Sequence, residues 1–311
     1  MDNSRSSNHI PRISLRTMSQ DIYRQDMVSF INENIAARRK IERDRCNEAA
    51  QRTRRPLRIG FINAATYWGA PIPKNCSLAP DLVHATVSNA SMRSEIQGVS
   101  FHVFKGKEEY CKREYERFWV TSPAMTWAQM AKYCSVEELA ALGSALMSRH
   151  RSRKVTTLDK LKRYLESSPR FVGRNTCLTA LPYIVENTDS PPETTLYGTL
   201  NDSGLGSPIP NYRIDLGNSY VIVDMAYPDC KVAFEYQGAY HADTAQMRAD
   251  MARINKLQMH GWVVILVTAD DFRSPEARQH FIDMAKTMVN RQRHLVWSSR
   301  LWDFPAANGS Q

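Results

Sequence analysis

An α/β class is predicted by three features of this 311-residue sequence. Helix-forming stretches alternate with short runs rich in β-branched residues, Gly, Pro, Asn and Asp signals punctuate them, and the C-terminal third orders them α-β-β-β-α-β-α. The length suggests about two domains. The expected organisation is a basic, partly disordered and partly helical N-terminal arm (1–56), a smaller α+β region (57–150), a helical linker (151–188), an α/β domain with a mixed sheet flanked by helices (189–300), and a disordered tail (301–311).

Composition bounds the function. Apolar residues at 42% and charged residues at 23% match globular averages. No apolar run reaches the roughly 18–20 residues that span a bilayer, and the first residues lack an apolar signal core, so a soluble, cytoplasmic protein without a membrane partner is expected. The six cysteines are scattered with no C-x-x-C pair, which fits reduced thiols and argues against a sulfur-ligated metal. More than half of the +9 net charge lies in residues 1–56, where twelve Lys/Arg face seven acids. Arg38, Arg39, Lys40, Arg54 and Arg55 are therefore candidate nucleic-acid contacts, although a solvated basic helix is the commoner meaning of such a run.

Along the chain, residues 27–51 have helix-forming composition, and Met27, Phe30, Ile31 and Ile35 recur at three- and four-residue spacing, so the first half of this helix is expected to dock. FINAATYWGAPIP reads as a short helix ended by Gly69 and Pro71; VHATV and GVSFHVF read as strands. Ser135 to Glu138 forms a capping box that opens a helix in SVEELAALGSALM. TLDKLKRYLESS and NTCLTALPYIVEN are helical. Ser190 as N-cap, Pro191 in the first turn and Glu193 three residues after the cap start the next helix. A three-stranded meander follows: 212–216, a Gly217-Asn218 turn, 219–227, a Pro228-Asp229 turn, and 231–238. Asp243 caps a helix running to His260 and closed by Gly261, WVVILVT is a buried strand, and SPEARQHFIDMAKTMVNRQ is the last helix.

Two strand-like runs in this meander, VIVDMAY and KVAFEYQG, each hold one acid, Asp224 and Glu235. An ionised carboxylate buried without a partner costs several kcal/mol, so these acids need a cation or an opening. If the turn has an even loop, Asp224 lies opposite Ala233 with Glu235 as its diagonal neighbour on the same face, and a three-residue loop would separate them. Oxygen ligands without sulfur favour Mg²⁺ or Mn²⁺. The equally available alternative pairs the acids with Arg213 or Arg253.

The spaced set Asp224, Glu235-Tyr-Gln237-Gly, His241, Arg248-Ala-Asp250-Met-Ala-Arg253, Leu257 and Gly261-Trp-Val-Val-Ile-Leu resembles the domain-of-unknown-function 559 group. That group is a branch of the PD-(D/E)xK restriction-endonuclease-like fold related to very-short-patch repair endonucleases. The resemblance covers about residues 189–275. Residues 57–150, with Ala64-Ala-Thr-Tyr-Trp-Gly69 and Val120-Thr-Ser-Pro123-Ala-Met-Thr126, look more weakly like the AbiEi-type region of type IV toxin–antitoxin and abortive-infection proteins.

The resemblance implies metal-assisted hydrolysis of DNA, with a toxin or defence-system protein as a possible partner. Asp224 and Glu235 would ligate Mg²⁺ or Mn²⁺; Glu193 matches the leading acid and His241 the histidine beyond the core strand. Arg248, Asp250 and Arg253 would support the site, against the simpler reading of Asp250 and Arg253 as an i,i+3 helix pair. Glu193 is also explained by its cap. Gln237 departs from the pattern, because neither the fold's usual Lys nor this branch's Asp is present. It leaves two expectations open: an active endonuclease, or an inactive nuclease fold kept as a DNA-binding regulator.

Overall fold

The computed structural model describes residues 34–188, 190–237 and 244–302. Helix α1 (described over 34–51) turns Cys46, Ala49 and Ala50 into a core shared with Leu57, Ile59, Tyr67 and Phe118. Docking thus extends into the second half of this helix, whose small residues give little hydrophobic periodicity; of the residues expected to dock, Ile35 packs over Gly69, while Met27, Phe30 and Ile31 lie outside the described residues. Two polar ties add to it, as the Asn63 Nδ2 donates to Glu42 Oε1 at 2.7 Å and Arg39 Nε donates to the Tyr67 carbonyl at 2.9 Å.

The chain then forms β1 (Arg58–Ile59), α2 (Phe61–Trp68), β2 (Val83–Val87), β3 (Val99–Val103), β4 (Tyr110–Cys111) and β5 (Trp119–Thr121). These strands build a mixed sheet in the order β3-β2-β1-β5-β4. Helix α2 ends where Gly69 adopts φ 87, the left-handed stop expected of a C-terminal glycine. Helices α3 (Pro123–Met130), α4 (Val136–Ala145), α5 (Leu158–Ser167) and α6 (Arg174–Ala180) follow. Ser135 and Glu138 close the expected capping box at the start of α4. Residues 151–188 do not act as a spacer. Leu161, Tyr164 and Leu165 of α5 and Cys177 and Ala180 of α6 are buried in one cluster with Trp127, Met130, Leu139 and Leu142.

The second sheet belongs to α7 (Pro191–Asn201), β6 (Ile209–Asp215), β7 (Tyr220–Tyr227), β8 (Val232–Tyr236), α8 (Thr244–Met259), β9 (Val263–Val267) and α9 (Pro275–Trp302), which is the α-β-β-β-α-β-α order read from the sequence. Its strands lie β6-β7-β8-β9, antiparallel up to β8, with β9 parallel to β8. The α8 crossover makes that parallel pairing possible. Leu196 and Leu200 of α7 and Phe281, Ala285 and Val289 of α9 pack with Met225, Val232 and Phe234. A second cluster joins Leu257 of α8 and Trp262 to Ile214, Val223, Ala226 and Ala233. The sheet is thus covered on both sides, as its nearly continuous apolar strands require. The two halves meet through an ion pair between Arg278 of α9 and Glu137 of α4, 2.8 Å apart. Among the described residues no helix is long and apolar enough to cross a membrane.

Candidate acidic site on the β7–β8 hairpin

Local backbone geometry sets the site. The turn between β7 and β8 holds residues 228–231, and Tyr227 stands opposite Val232. Lys231 adopts φ 54, a left-handed conformation, and the turn is two residues longer than the expected Pro228-Asp229 pair. The loop count stays even, so both acids keep the same face, but the register moves. Met225 pairs with Phe234 and Ala226 with Ala233, so Ala233 is not the partner of Asp224, and the same register, if extended by one step, would lead from Asp224 toward Glu235.

The ladder does not continue at that step in the usual way, because the Tyr236 N–H donates to Asp224 Oδ2 at 2.8 Å. Glu235 is buried at 6% exposure. Its Oε1 accepts from Arg253 Nη2 at 2.5 Å, and the same nitrogen donates to the Ile222 carbonyl at 2.6 Å. The guanidinium of α8 therefore bridges the two strands that carry the acids. Two carboxylates in such a place repel, and this cation offsets the repulsion. The expected Asp250–Arg253 pair gives way to this longer-range contact: among the described residues Arg253 bonds Glu235, while Asp250 is half-buried and Arg248 exposed on the same helix. Arg213 does not serve the acids but stacks its guanidinium 4.2 Å from the Tyr220 ring centre.

Gln237 sits two residues beyond Glu235, half-buried, and its backbone N–H donates to Val267 O at 2.6 Å, prolonging the β8–β9 pairing. Glu193 is placed differently. In the first turn of α7 it is buried at 8% exposure and accepts from Thr188 Oγ1 at 2.6 Å and Ser190 Oγ at 2.8 Å. The expected capping box is incomplete: Ser190 occupies the N-cap with Pro191 after it, but its hydroxyl donates to the Glu193 carboxylate and accepts no helix N–H. No three His, Cys, Asp or Glu side chains converge on a shared point among the described residues. His241 lies outside them.

The basic candidates separate in the same manner. Arg38, Lys40, Arg54 and Arg55 are exposed. Arg39 is tied to the Tyr67 carbonyl, and burial, reinforced by the neighbouring Arg113, draws its pKa down. It anchors α1 and is a poor candidate for a phosphate contact.

Oxygen-only donors on one hairpin fit a hard divalent cation, which accepts one or two carboxylates and completes its shell with water. Sequence reasoning missed the Tyr236 amide and the shared Ile222–Arg253–Glu235 contact. Neither has a local signal, since the amide is common to every residue and Arg253 reaches over from another element.

No family model and no solved structure matches the chain. Two curated proteins of Mycobacterium tuberculosis, both described as uncharacterized and coming from strains CDC 1551 and H37Rv, are each 29% identical to it over 161 residues. The match takes in 51% of this chain and 58% of each relative, so the chain is similar to a little over half the length of those proteins.

Proposed function

We propose that the β7–β8 hairpin is the centre of a divalent-cation-dependent DNA endonuclease acting on phosphodiester bonds, in a phage-defence or toxin–antitoxin setting. The observation that carries this reading is the placing of two carboxylates on adjacent strands of a covered sheet, Asp224 held by the Tyr236 N–H and Glu235 buried beside it on β8. Asp224 and Glu235 would hold Mg²⁺ or Mn²⁺, which supplies Lewis-acid polarisation of a phosphate oxygen and acidifies a bound water.

The chain's own residues do the positioning. The Tyr236 N–H fixes Asp224 through Oδ2, which orients its other oxygen. Arg253 restrains Glu235 and stands ready to neutralise phosphate charge. Gln237, being neutral, can orient water or a phosphate oxygen through its amide but cannot take up a proton as a base. Incubation with supercoiled plasmid and Mg²⁺ or Mn²⁺ tests this. Nicking by the wild type that disappears in Asp224→Ala is expected.

A second reading has its own observation. The Glu235–Arg253 ion pair already balances one acid, and with Gln237 in the third position the fold would serve as a DNA-binding regulator without hydrolysis. It predicts salt-sensitive DNA binding that Asp224→Ala leaves intact, and no cleavage of duplex, nicked or single-stranded substrates.

A further inference from the structure

The N-terminal half contains a cavity of about 260 Å³ between α2, β3 and α3, remote in sequence from the hairpin acids. It begins at an unusual entry into a helix. Strand β1 leads through Gly60 directly into α2, and Phe61, the first helical residue, adopts φ 56. A Cβ on Gly60 would lie 2.6 Å from Gln129 Oε1, so any larger residue there would displace the Gln129 amide. No side chain caps the helix.

Gln129, on α3, is 2% exposed and lines the cavity. Its orientation is fixed, because Oε1 accepts the Phe61 N–H at 3.2 Å. The opposite atom, Nε2, is sealed from solvent and has no hydrogen-bond partner among the described residues. A buried amide donor in that state costs about 1–3 kcal/mol unless something accepts from it. Three cations, Arg93, Lys105 and Lys132, line the same cavity, and no carboxylate is among the described residues that line it.

The cavity wall also organises its neutral donors. His84 Nε2 lies 2.9 Å from the Ala79 carbonyl and so carries a proton; His84 Nδ1 then accepts from His102 Nε2 at 2.7 Å, and His102 Nδ1 accepts from the Tyr133 hydroxyl at 3.3 Å. Burial holds both imidazoles below their ordinary pKa, which keeps this chain uncharged at neutral pH. The positive charge at the cavity therefore comes from Arg93, Lys105 and Lys132, joined by the amino-terminal end of α2, where partial positive charge favours an anion.

We propose that this cavity binds a small phosphate monoester, its oxyanion facing Lys105, Lys132 and Arg93 beside the amino-terminal end of α2, with the rest of the ligand against Phe61 and Phe104. The volume, equal to that of about nine waters at ~30 Å³ each, admits a phosphate with a pentose-sized group. This site is independent of any chemistry at the hairpin.

Calorimetric titration of the full chain with ribose 5-phosphate, inorganic phosphate and unphosphorylated ribose tests it. Saturable binding is expected for ribose 5-phosphate, weaker binding for inorganic phosphate and none for ribose. Two variants localise the site. Lys105→Ala/Lys132→Ala changes exposed side chains only and should weaken binding by about tenfold or more. Gln129→Glu keeps an acceptor for the Phe61 N–H while exchanging the donor for a carboxylate, and should abolish binding. Absence of saturable ribose 5-phosphate binding by the wild type overturns the proposal, as does unchanged affinity in the double lysine variant. If Gln129→Glu fails to fold by circular dichroism, the lysine variant alone decides.

Discussion

Removing the Arg253 guanidinium should expose how the acidic hairpin is held together. The Glu235 side chain is 7% exposed and that of Arg253 25%, so Arg253→Ala strands a buried carboxylate beside Asp224 and deprives the Ile222 carbonyl of a donor. Breaking a buried pair from one side costs about 3–5 kcal/mol, and the partial exposure of Arg253 places the loss at the lower end, about 3 kcal/mol. For a chain of this size that lowers the thermal midpoint by about 5 °C. The assay is urea denaturation of the wild type, Arg253→Ala, Glu235→Gln and the double variant. If the orphaned charge is the cause, Glu235→Gln restores part of the stability lost in Arg253→Ala, and adding Mg²⁺ stabilises Arg253→Ala more than the wild type, because a cation that binds only the folded state adds RT ln(1 + [L]/Kd). An Arg253→Ala protein within about 0.5 kcal/mol of wild type, or strictly additive losses in the double variant, would refute the reasoning.

Other perturbations test the rest of the chain. Burial, aided by His84, Lys132 and Arg93, pushes the His102 pKa from its ordinary 6.5 down to about 4. The folded state therefore binds fewer protons than the unfolded one between those values, and the stability associated with neutral His102 is present above about pH 6.5 and lost as pH falls toward 4. Urea midpoints measured from neutral pH down to pH 4 should fall less steeply in His102→Gln than in the wild type; parallel curves would contradict this. Gly173→Ala is expected to cost well over 2 kcal/mol, since at φ 94 its new Cβ would meet the backbone of Ala131 and Lys132 at 2.9 Å. Gly217→Ala, at φ 83 but with nothing within 4 Å, should cost only about 1–2 kcal/mol in the same denaturation series. At the hairpin, loss of plasmid nicking in Asp224→Ala without loss of DNA retardation would separate hydrolysis from binding.

Much of the second sheet was legible because its signals are local. Pro191 after Ser190, the Gly217 turn, Gly261 with its left-handed φ 78 and the apolar run of β9 are decided by neighbours in the chain, and they gave the element order. The side chain alternation of a strand also gave the parity that puts Asp224 and Glu235 together. The two-residue shift in register beside those acids goes with Lys231 adopting a left-handed conformation, for which a lysine carries no signal. The fate of residues 151–188 was hidden for a different reason. A short amphipathic helix such as α5 reads the same whether its apolar stripe meets a distant core or a neighbouring linker helix, and here Leu161 and Leu165 meet the core.

The sequence by itself determined the α/β class, the succession of helices and strands, and the placing of two acids on one face of a hairpin, because backbone preference and side-chain period act over a few residues. Only the tertiary structure decided what those acids touch. It brought Arg253 to Glu235, tied Arg39 to α2 in place of solvent, and gathered Gln129, His102, Lys105 and Lys132 around one cavity. Such contacts join elements far apart in the chain, where packing of whole surfaces, and no local rule, sets which side chains meet.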